Sequence, residues 1–199
     1  MHYSVLLRGR NVEDQLEPFW TDLTVETELV KEKGELIDDY KIDVPEEKWD
    51  GLEEEEIYQA ALEYYDYNNG DYSIDEETGN VHTSDYNPNA QWDWYEVGGR
   101  WAGELKLKDT ADPDEYSVPN FSWGWKDEDK DAILSSSGVD SALKKDIANL
   151  DDLDSFVVLE DGCWYCKEEY TDEEWKEIFK EFIDGCPDDE YITIVDCHI

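Results

Sequence analysis

Acidic side chains outnumber basic ones by 55 to 16 in these 199 residues, and the formal net charge of -39 constrains the fold more than any other feature. A compact state must keep nearly all of these carboxylates at its surface, because ionised groups are buried only when they are paired or hydrogen-bonded. The interior must come from the other residues, among which 9 Trp, 13 Tyr and 5 Phe supply large apolar surfaces. Disordered acidic chains are poor in such residues, so the sequence predicts a folded protein with an acidic surface.

The pattern of apolar residues predicts one compact α+β domain over residues 1–199. Amphipathic helices with acidic outer faces are expected at about 46–66, 140–149 and 172–184, and Thr171 with Glu174 forms a capping box before the last of them. Both ends of the chain are expected to be strands of one antiparallel or mixed sheet. Residues 109–131 contain Trp123 and Trp125 and are expected to form an irregular insertion that is either mobile or faces a partner.

Shorter strands are expected in pairs that follow turn sequences. Residues 72–74 and 80–83 flank a turn with a calcium-like set of oxygen ligands, which lacks the full spacing of a calcium loop and is interpreted as a plain turn. Residues 94–97 and 100–108 flank Gly98 and Gly99, and residues 156–159 and 163–167 flank Asp161 and Gly162. A hairpin is the expected structure at each place.

The charge itself has three interpretations. A halophilic surface is disfavoured, because the bases are 13 Lys to 3 Arg and only 8 Ala are present. A solvated surface that keeps the protein in solution explains any individual acid. Mimicry of a nucleic acid is the third interpretation, because duplex DNA carries one charge per ~1.7 Å of its axis and an acidic protein competes for the same basic clefts. Only mimicry predicts a partner.

The densest cluster of motif-like residues is segment 87–101, NPNAQWDWYEVGGRW. Asn87 begins a turn, Trp92 and Trp94 are expected on one face of a strand, and Asp93 is expected to pair with Arg100 across the Gly98-Gly99 bend. Together with Trp101, these residues are interpreted as a buried aromatic corner held by one ion pair, in preference to an active site.

This segment resembles the signature NPN-x-x-WDWY-x-x-GGRW of uncharacterised small proteins encoded mostly by bacteriophages and related mobile elements. Residues 13–19 (EDQLEPF), 139–147 (VDSALKKDI), 161–165 (DGCWY) and the VDCHI-type end within 193–199 also resemble that family. The resemblance implies a phage-type gene product but no defined activity. The extreme acidity departs from the family pattern and suggests a specialised surface on a common scaffold.

The resemblance and the charge together predict an anti-CRISPR-like inhibitor that occupies the basic channel of a host nucleic-acid-binding defence protein or ribonucleoprotein. It is expected to contact that protein and to bind neither nucleic acid nor membrane. The residues expected to contact the partner are all acidic: Glu46, Glu47, Glu53, Glu54, Glu55, Glu56, Asp127, Glu128, Asp129, Asp131, Asp172, Glu173, Glu174, Glu177 and Glu181.

Two alternatives remain open at this level. The first is a small enzyme acting on a nucleotide or metabolite, with Trp92, Asp93 and Arg100 at its site. The second is a phage housekeeping protein whose charge serves only to keep it in solution. No recognised nucleophile motif or phosphate-binding glycine loop is present, and no catalytic residue or cofactor is predicted.

Cysteine and histidine positions offer one weak metal motif. Cys163 and Cys166 have the spacing of a zinc half-site, but on a strand they point to opposite faces, so buried thiols are the favoured interpretation. His2 and His198 are expected to meet if the terminal strands pair. No run of about 18 apolar residues and no signal-peptide pattern is present, which predicts a soluble intracellular protein. The resemblance to phage proteins implies that its location is the cytoplasm of the host cell.

Overall fold

The computed structural model describes residues 1–199 and contains five α-helices and eleven β-strands. The helices are α1 (Val12–Leu16), α2 (Lys33–Asp43), α3 (Glu54–Tyr64), α4 (Asp127–Ser135) and α5 (Asp172–Gly185). The strands are β1 (His2–Arg8), β2 (Leu29–Lys31), β3 (Tyr72–Ile74), β4 (Val81–Thr83), β5 (Trp94–Val97), β6 (Leu105–Lys106), β7 (Gly138–Val139), β8 (Ser141–Leu143), β9 (Val157–Glu160), β10 (Cys163–Cys166) and β11 (Tyr191–His198).

The chain divides into two compact units, residues 1–21 with 89–199 and residues 22–88, although the sequence shows no evident boundary. The first unit contains a mixed sheet of order β10-β9-β1-β11-β5, and β8 also pairs with β11. β1 and β11 are antiparallel from His2 opposite His198 to Arg8 opposite Ile192. The predicted α+β class and the shared sheet of the two ends are therefore confirmed.

Side chains of the two central strands are buried on both faces of this sheet. Leu6, Ile192 and Ile194 pack on one face with Phe182 of α5. Tyr3, Val5, Leu7 and Val195 pack on the other face, where α1 and Trp92 cover them. Alternation along each strand produces this division, and it explains why both ends of such an acidic chain are almost free of charge.

The second unit is a smaller α+β structure. Its helices α2 and α3 share a core in which Leu36, Ile37, Tyr58 and Leu62 are buried together with Val81 of β4. The three-stranded sheet has the order β2-β4-β3. α2 was not predicted, although residues 36, 37 and 40 have the spacing of one buried helix face.

Several local predictions are confirmed. The hairpin pairs β3–β4 and β9–β10 form where they were expected. α5 begins directly after Thr171, which forms the predicted capping box with Glu174 in the first turn of the helix. In the turn after β3, the Asp75 carboxylate accepts hydrogen bonds from the backbone N–H and the hydroxyl of Thr78. The helix predicted at 46–66 is shorter, because Glu46–Lys48 is a 3-10 turn and α3 begins only at Glu54.

Two predicted elements are wrong. Residues 140–149 are not a helix: they form β8, which pairs with β11, followed by a 3-10 turn over Lys144–Asp146. Residues 100–108 do not pair with β5, because β6 pairs with β7 instead. The expected irregular stretch 109–131 contains a 3-10 turn at Pro113–Glu115 and ends in the first residues of α4. None of the helices is both long and apolar enough to span a membrane.

Candidate functional site

All fifteen acidic side chains predicted to contact a partner are exposed. They occupy the beginning of α3 with the turn before it, the first half of α4, and the outer face of α5. Acidic residues in the first turn of a helix interact favourably with the positive end of the helix dipole. The carboxylates at the start of α3, α4 and α5 therefore do not destabilise these helices.

Some of these carboxylates already have structural roles. Glu53 and Glu56 form the capping box of α3, and Glu174 accepts hydrogen bonds from the backbone N–H and hydroxyl of Thr171. Glu55 Oε2 lies 2.7 Å from Lys33 Nζ, and this hydrogen bond lowers the pKa of the Glu55 carboxyl. The hydrogen bonds from Thr171 likewise lower the pKa of Glu174. These four are less available to a partner than sequence analysis indicated.

The remaining predicted acids are free of such contacts, apart from a 3.7 Å ion pair between Asp127 and Lys130. On α5, Glu173, Glu177 and Glu181 are four residues apart and carry no ion pair, so they form one charged stripe along the helix. We call this set the α5 stripe.

Trp123 lies just before α4 and is fully exposed, with a relative accessibility of 103%. Its neighbour Trp125 is half-buried, and its indole N–H donates to the carbonyl of Gly99 at 3.0 Å. Trp125 therefore holds this loop against the Gly98-Gly99 turn, while Trp123 faces solvent. An exposed Trp beside the acidic residues of α4 is the one large aromatic side chain available there to a partner.

The 87–101 segment is assembled differently from the expected ion-paired corner. Asp93 Oδ1 lies 2.9 Å from His198 Nδ1, while Arg100 is exposed, so the predicted Asp93–Arg100 pair is wrong. Trp92 is buried and donates from Nε1 to the carbonyl of Leu16 at 2.9 Å, whereas Trp94 is 47% exposed. The reason is the pairing of β5 with β11, which places residues 93 and 94 beside His198.

Of the other motif residues, Asn87 is buried in the second unit and Trp101 packs against the core of the first. The segment is rich in aromatic side chains, but the partner of Asp93 is the His198 ring and Trp94 is not buried. The proposed enzyme site of Trp92, Asp93 and Arg100 is not brought together as one cluster.

Gly98 and Gly99 are explained by two buried carboxylates that the sequence did not single out as a pair. Asp140 Oδ1 and Oδ2 accept from the backbone N–H of Gly103 at 2.7 Å and of Asn120 at 2.5 Å. Both glycines have positive φ, and a Cβ atom would overlap Asp140 at Gly98 and Asp196 at Gly99. Burial raises the pKa of the Asp140 carboxyl.

Asp196, the carboxylate that faces Gly99, has its own set of hydrogen-bond partners. It is fully buried, with Oδ1 2.8 Å from His2 Nδ1 and Oδ2 accepting from the Arg100 N–H at 3.0 Å. The pairing of β1 with β11 brings the rings of His2 and His198 to 4.8 Å between centroids, as expected if the terminal strands pair. Sequence analysis missed Asp196, for which alternation along the last strand offered only a weak signal.

The four cysteine thiols differ in exposure and form no disulfide. Cys163 is exposed and Cys166 is half-buried on β10, so the interpretation of these two as buried thiols is wrong. Cys186 and Cys197 are buried. Burial raises the pKa of the Cys186 thiol to about 11 and that of Cys197 still further. No group of three or more His, Cys, Asp or Glu side chains surrounds a common point in the structure.

A cavity of about 550 Å³ lies along α5 on the side of Trp175 and Phe179. Its rim carries Lys167, Lys176 and Lys180 among aspartates, and no His, Cys or Ser lines it. A second cavity of about 230 Å³ is lined in part by Asp140, Arg10 and Tyr116.

Comparisons with protein-family models, curated proteins and solved structures found no match for this chain.

Proposed function

We propose that this protein is a phage-encoded, anti-CRISPR-like inhibitor that occupies the basic nucleic-acid channel of a host defence protein in the host cytoplasm. The observation that carries the proposal is the exposure of all fifteen predicted acids, most of which have no ion-pair partner within the protein. Carboxylates without internal partners are the ones that can meet Lys and Arg of another protein.

The charge spacing along the helices supports a comparison with single-stranded rather than duplex nucleic acid. α5 carries six acids and two lysines over 14 residues, about 21 Å at 1.5 Å per residue, or one net negative charge per ~5 Å. α4 carries four acids and one lysine over 9 residues, and gives a similar spacing. One nucleic-acid strand carries a charge per ~3.4 Å of axis and a duplex one per ~1.7 Å, so a single helix is nearer to a single strand.

Trp123 adds a feature that charge alone does not provide. Channels for single strands combine basic residues with aromatic side chains on which bases stack. A fully exposed indole next to the α4 carboxylates supplies both elements, an aromatic ring and a row of negative charges. We therefore place Trp123 and α4 at the contact, together with the α5 stripe.

Binding to a purified CRISPR effector across a series of NaCl concentrations tests the proposal. We expect the affinity to fall linearly on a log-log plot as salt rises, and single-stranded DNA to compete for the same site. Tight binding that survives high salt and leaves nucleic-acid loading unchanged would show that the mechanism is wrong. A pulldown from host lysate over the same salt series identifies the target if the effector chosen does not bind.

A matched pair of variants separates a specific surface from total charge. Glu173→Lys with Glu177→Lys reverses two members of the α5 stripe, whereas Glu76→Lys with Glu77→Lys makes the same charge change in the exposed β3–β4 turn. We expect the first pair to abolish inhibition and the second to weaken it only slightly. Equal effects of the two pairs would favour a charge that serves only to keep the protein in solution.

A further inference from the structure

The paired imidazoles of His2 and His198 have a geometry that the proposed inhibition does not use. They are opposite each other on β1 and β11, and their ring centroids are 4.8 Å apart. His2 is 22% exposed and His198 is 38% exposed at the side chain, so both rings are accessible from solvent. This site belongs entirely to the first unit.

Each ring is held by a carboxylate on the same nitrogen. His2 Nδ1 lies 2.8 Å from Asp196 Oδ1, and His198 Nδ1 lies 2.9 Å from Asp93 Oδ1. Neither Nε2 atom takes part in a hydrogen bond. A carboxylate on one imidazole nitrogen fixes the tautomer and leaves the lone pair of the other nitrogen for a metal, which is the usual second-shell arrangement of histidine ligands.

We propose that His2 and His198 bind one divalent transition-metal ion, of the Zn²⁺, Ni²⁺ or Cu²⁺ class, through their Nε2 atoms, with water completing the coordination. The inference goes beyond the proposed function and is independent of it. Imidazole is a ligand for these metals, whereas Mg²⁺ and Ca²⁺ are held by oxygen.

The separation of the two ring centres is short enough for both rings to bind one ion. A metal bound at about 2.1 Å from an imidazole nitrogen lies about 3.2 Å from the centre of that ring. Two ring centres at 4.8 Å then subtend roughly 100° at the metal, between the octahedral and tetrahedral angles. Binding requires the two Nε2 atoms to turn toward one point between the rings.

The surrounding charge favours a cation. The two carboxylates that hold the rings stay next to the site, where the Met1 ammonium also acts on Asp93, and the whole molecule carries a formal net charge of -39. A negative field raises the local concentration of cations at an accessible site. The same field attracts any divalent cation to exposed carboxylates, so the experiment must separate histidine binding from general condensation.

Titration of the full-length protein with Zn²⁺ in excess Mg²⁺, followed by NMR of the histidine ring protons, makes that separation. The chain has three histidines, and His82 on β4 of the second unit is an internal control. We expect the His2 and His198 signals to shift together and to saturate at one equivalent of Zn²⁺, with His82 unchanged. Parallel shifts of all three, or of none, would overturn the proposal.

Substitutions supply the second measurement. We expect His2→Gln and His198→Gln each to weaken Zn²⁺ binding about tenfold or more, because even loss of a second-shell partner costs 10–100-fold in metal affinity. His82→Gln should leave the affinity unchanged. If His2→Gln fails to fold for want of its bond to buried Asp196, the more exposed His198→Gln decides the question. A His198→Gln variant that binds Zn²⁺ as the wild type does would refute the site.

Discussion

Gly98 and Gly99 show at the scale of single residues why the GGRW turn has no side chains at its bend. Both have positive φ, and each faces a buried carboxylate, Asp140 or Asp196. We expect Gly98→Ala to lower the free energy of unfolding by about 2–4 kcal/mol, from left-handed backbone strain and from overlap with Asp140. Urea denaturation followed by tryptophan fluorescence measures this loss.

Gly162 is a matched control for the backbone term. Its φ of 76° equals that of Gly98, but a Cβ atom there would meet nothing within 4 Å. Gly162→Ala should therefore cost only about 1–2 kcal/mol, the left-handed strain alone. Equal losses at Gly98 and Gly162 would show that the buried Asp140 carboxylate does not exclude a side chain.

The four thiols are expected to differ in reactivity because each differs in its exposure to solvent or in its pKa. Cys163 is exposed, whereas burial raises the pKa of Cys186 to about 11 and that of Cys197 further. The thiolate is the reactive form, so Cys186 and Cys197 should be inert near neutral pH. A thiol assay should detect Cys163 rapidly in the native protein and all four cysteines only in denaturant. Rapid modification of Cys197 in the folded state would contradict its burial.

At the scale of elements, α5 depends on its first turn. Thr171 accepts from the Glu174 N–H, and Glu174 accepts in return from the Thr171 N–H. We expect Thr171→Ala to destabilise the protein by about 1 kcal/mol, and Thr171→Ser to retain most of that stability. Thermal unfolding measures both. Thr110→Ala, at an exposed position without a side-chain hydrogen bond, is the matched control and should be neutral.

α5 also illustrates which elements a sequence can predict. Its capping box and its buried residues Trp175 and Phe182 lie within one stretch of chain, so local periodicity was sufficient. Residues 140–149 have comparable spacing at Leu143 and Ile147, yet 141–143 form a strand because β11 supplies their hydrogen-bonding partners. Distant pairing overrode local preference there.

The candidate sites also divide into features that composition or local sequence predicts and features that depend on distant strand pairing. The exposed acids were evident from composition, because carboxylates in such number have nowhere else to go. The partners of Asp140 are 37 and 20 residues away in sequence, and no local pattern indicated them. Asp93 was assigned to nearby Arg100, but the β5–β11 pairing gave it His198, 105 residues away. Contacts between strands decided these sites.

At the scale of the whole molecule, the net charge of -39 opposes the compact state by self-repulsion. Salt screens exposed charges, with a Debye length that falls from about 30 Å at 0.01 M to about 10 Å at 0.1 M. We therefore expect the melting temperature to rise as NaCl is added over this range. An uncharged osmolyte at the same osmolarity controls for general solvent effects. A melting temperature that does not depend on NaCl would show that the charges are too far apart to repel.

The dependence of stability on pH combines this repulsion with individual groups. Burial raises the pKa of Asp140, so the native state holds that proton more tightly, and stability falls as pH rises from the unfolded pKa of about 4 through the folded value. Hydrogen bonds lower the pKa of Asp75 and Glu174, so their stabilisation is present above about pH 4 and is lost as pH falls further. Because these shifts act on opposite sides of about pH 4 and protonation also relieves repulsion, we expect stability to be greatest at acidic rather than neutral pH. Thermal unfolding from pH 3 to pH 8 at fixed ionic strength tests this, and a melting temperature that keeps rising to pH 8 would contradict it.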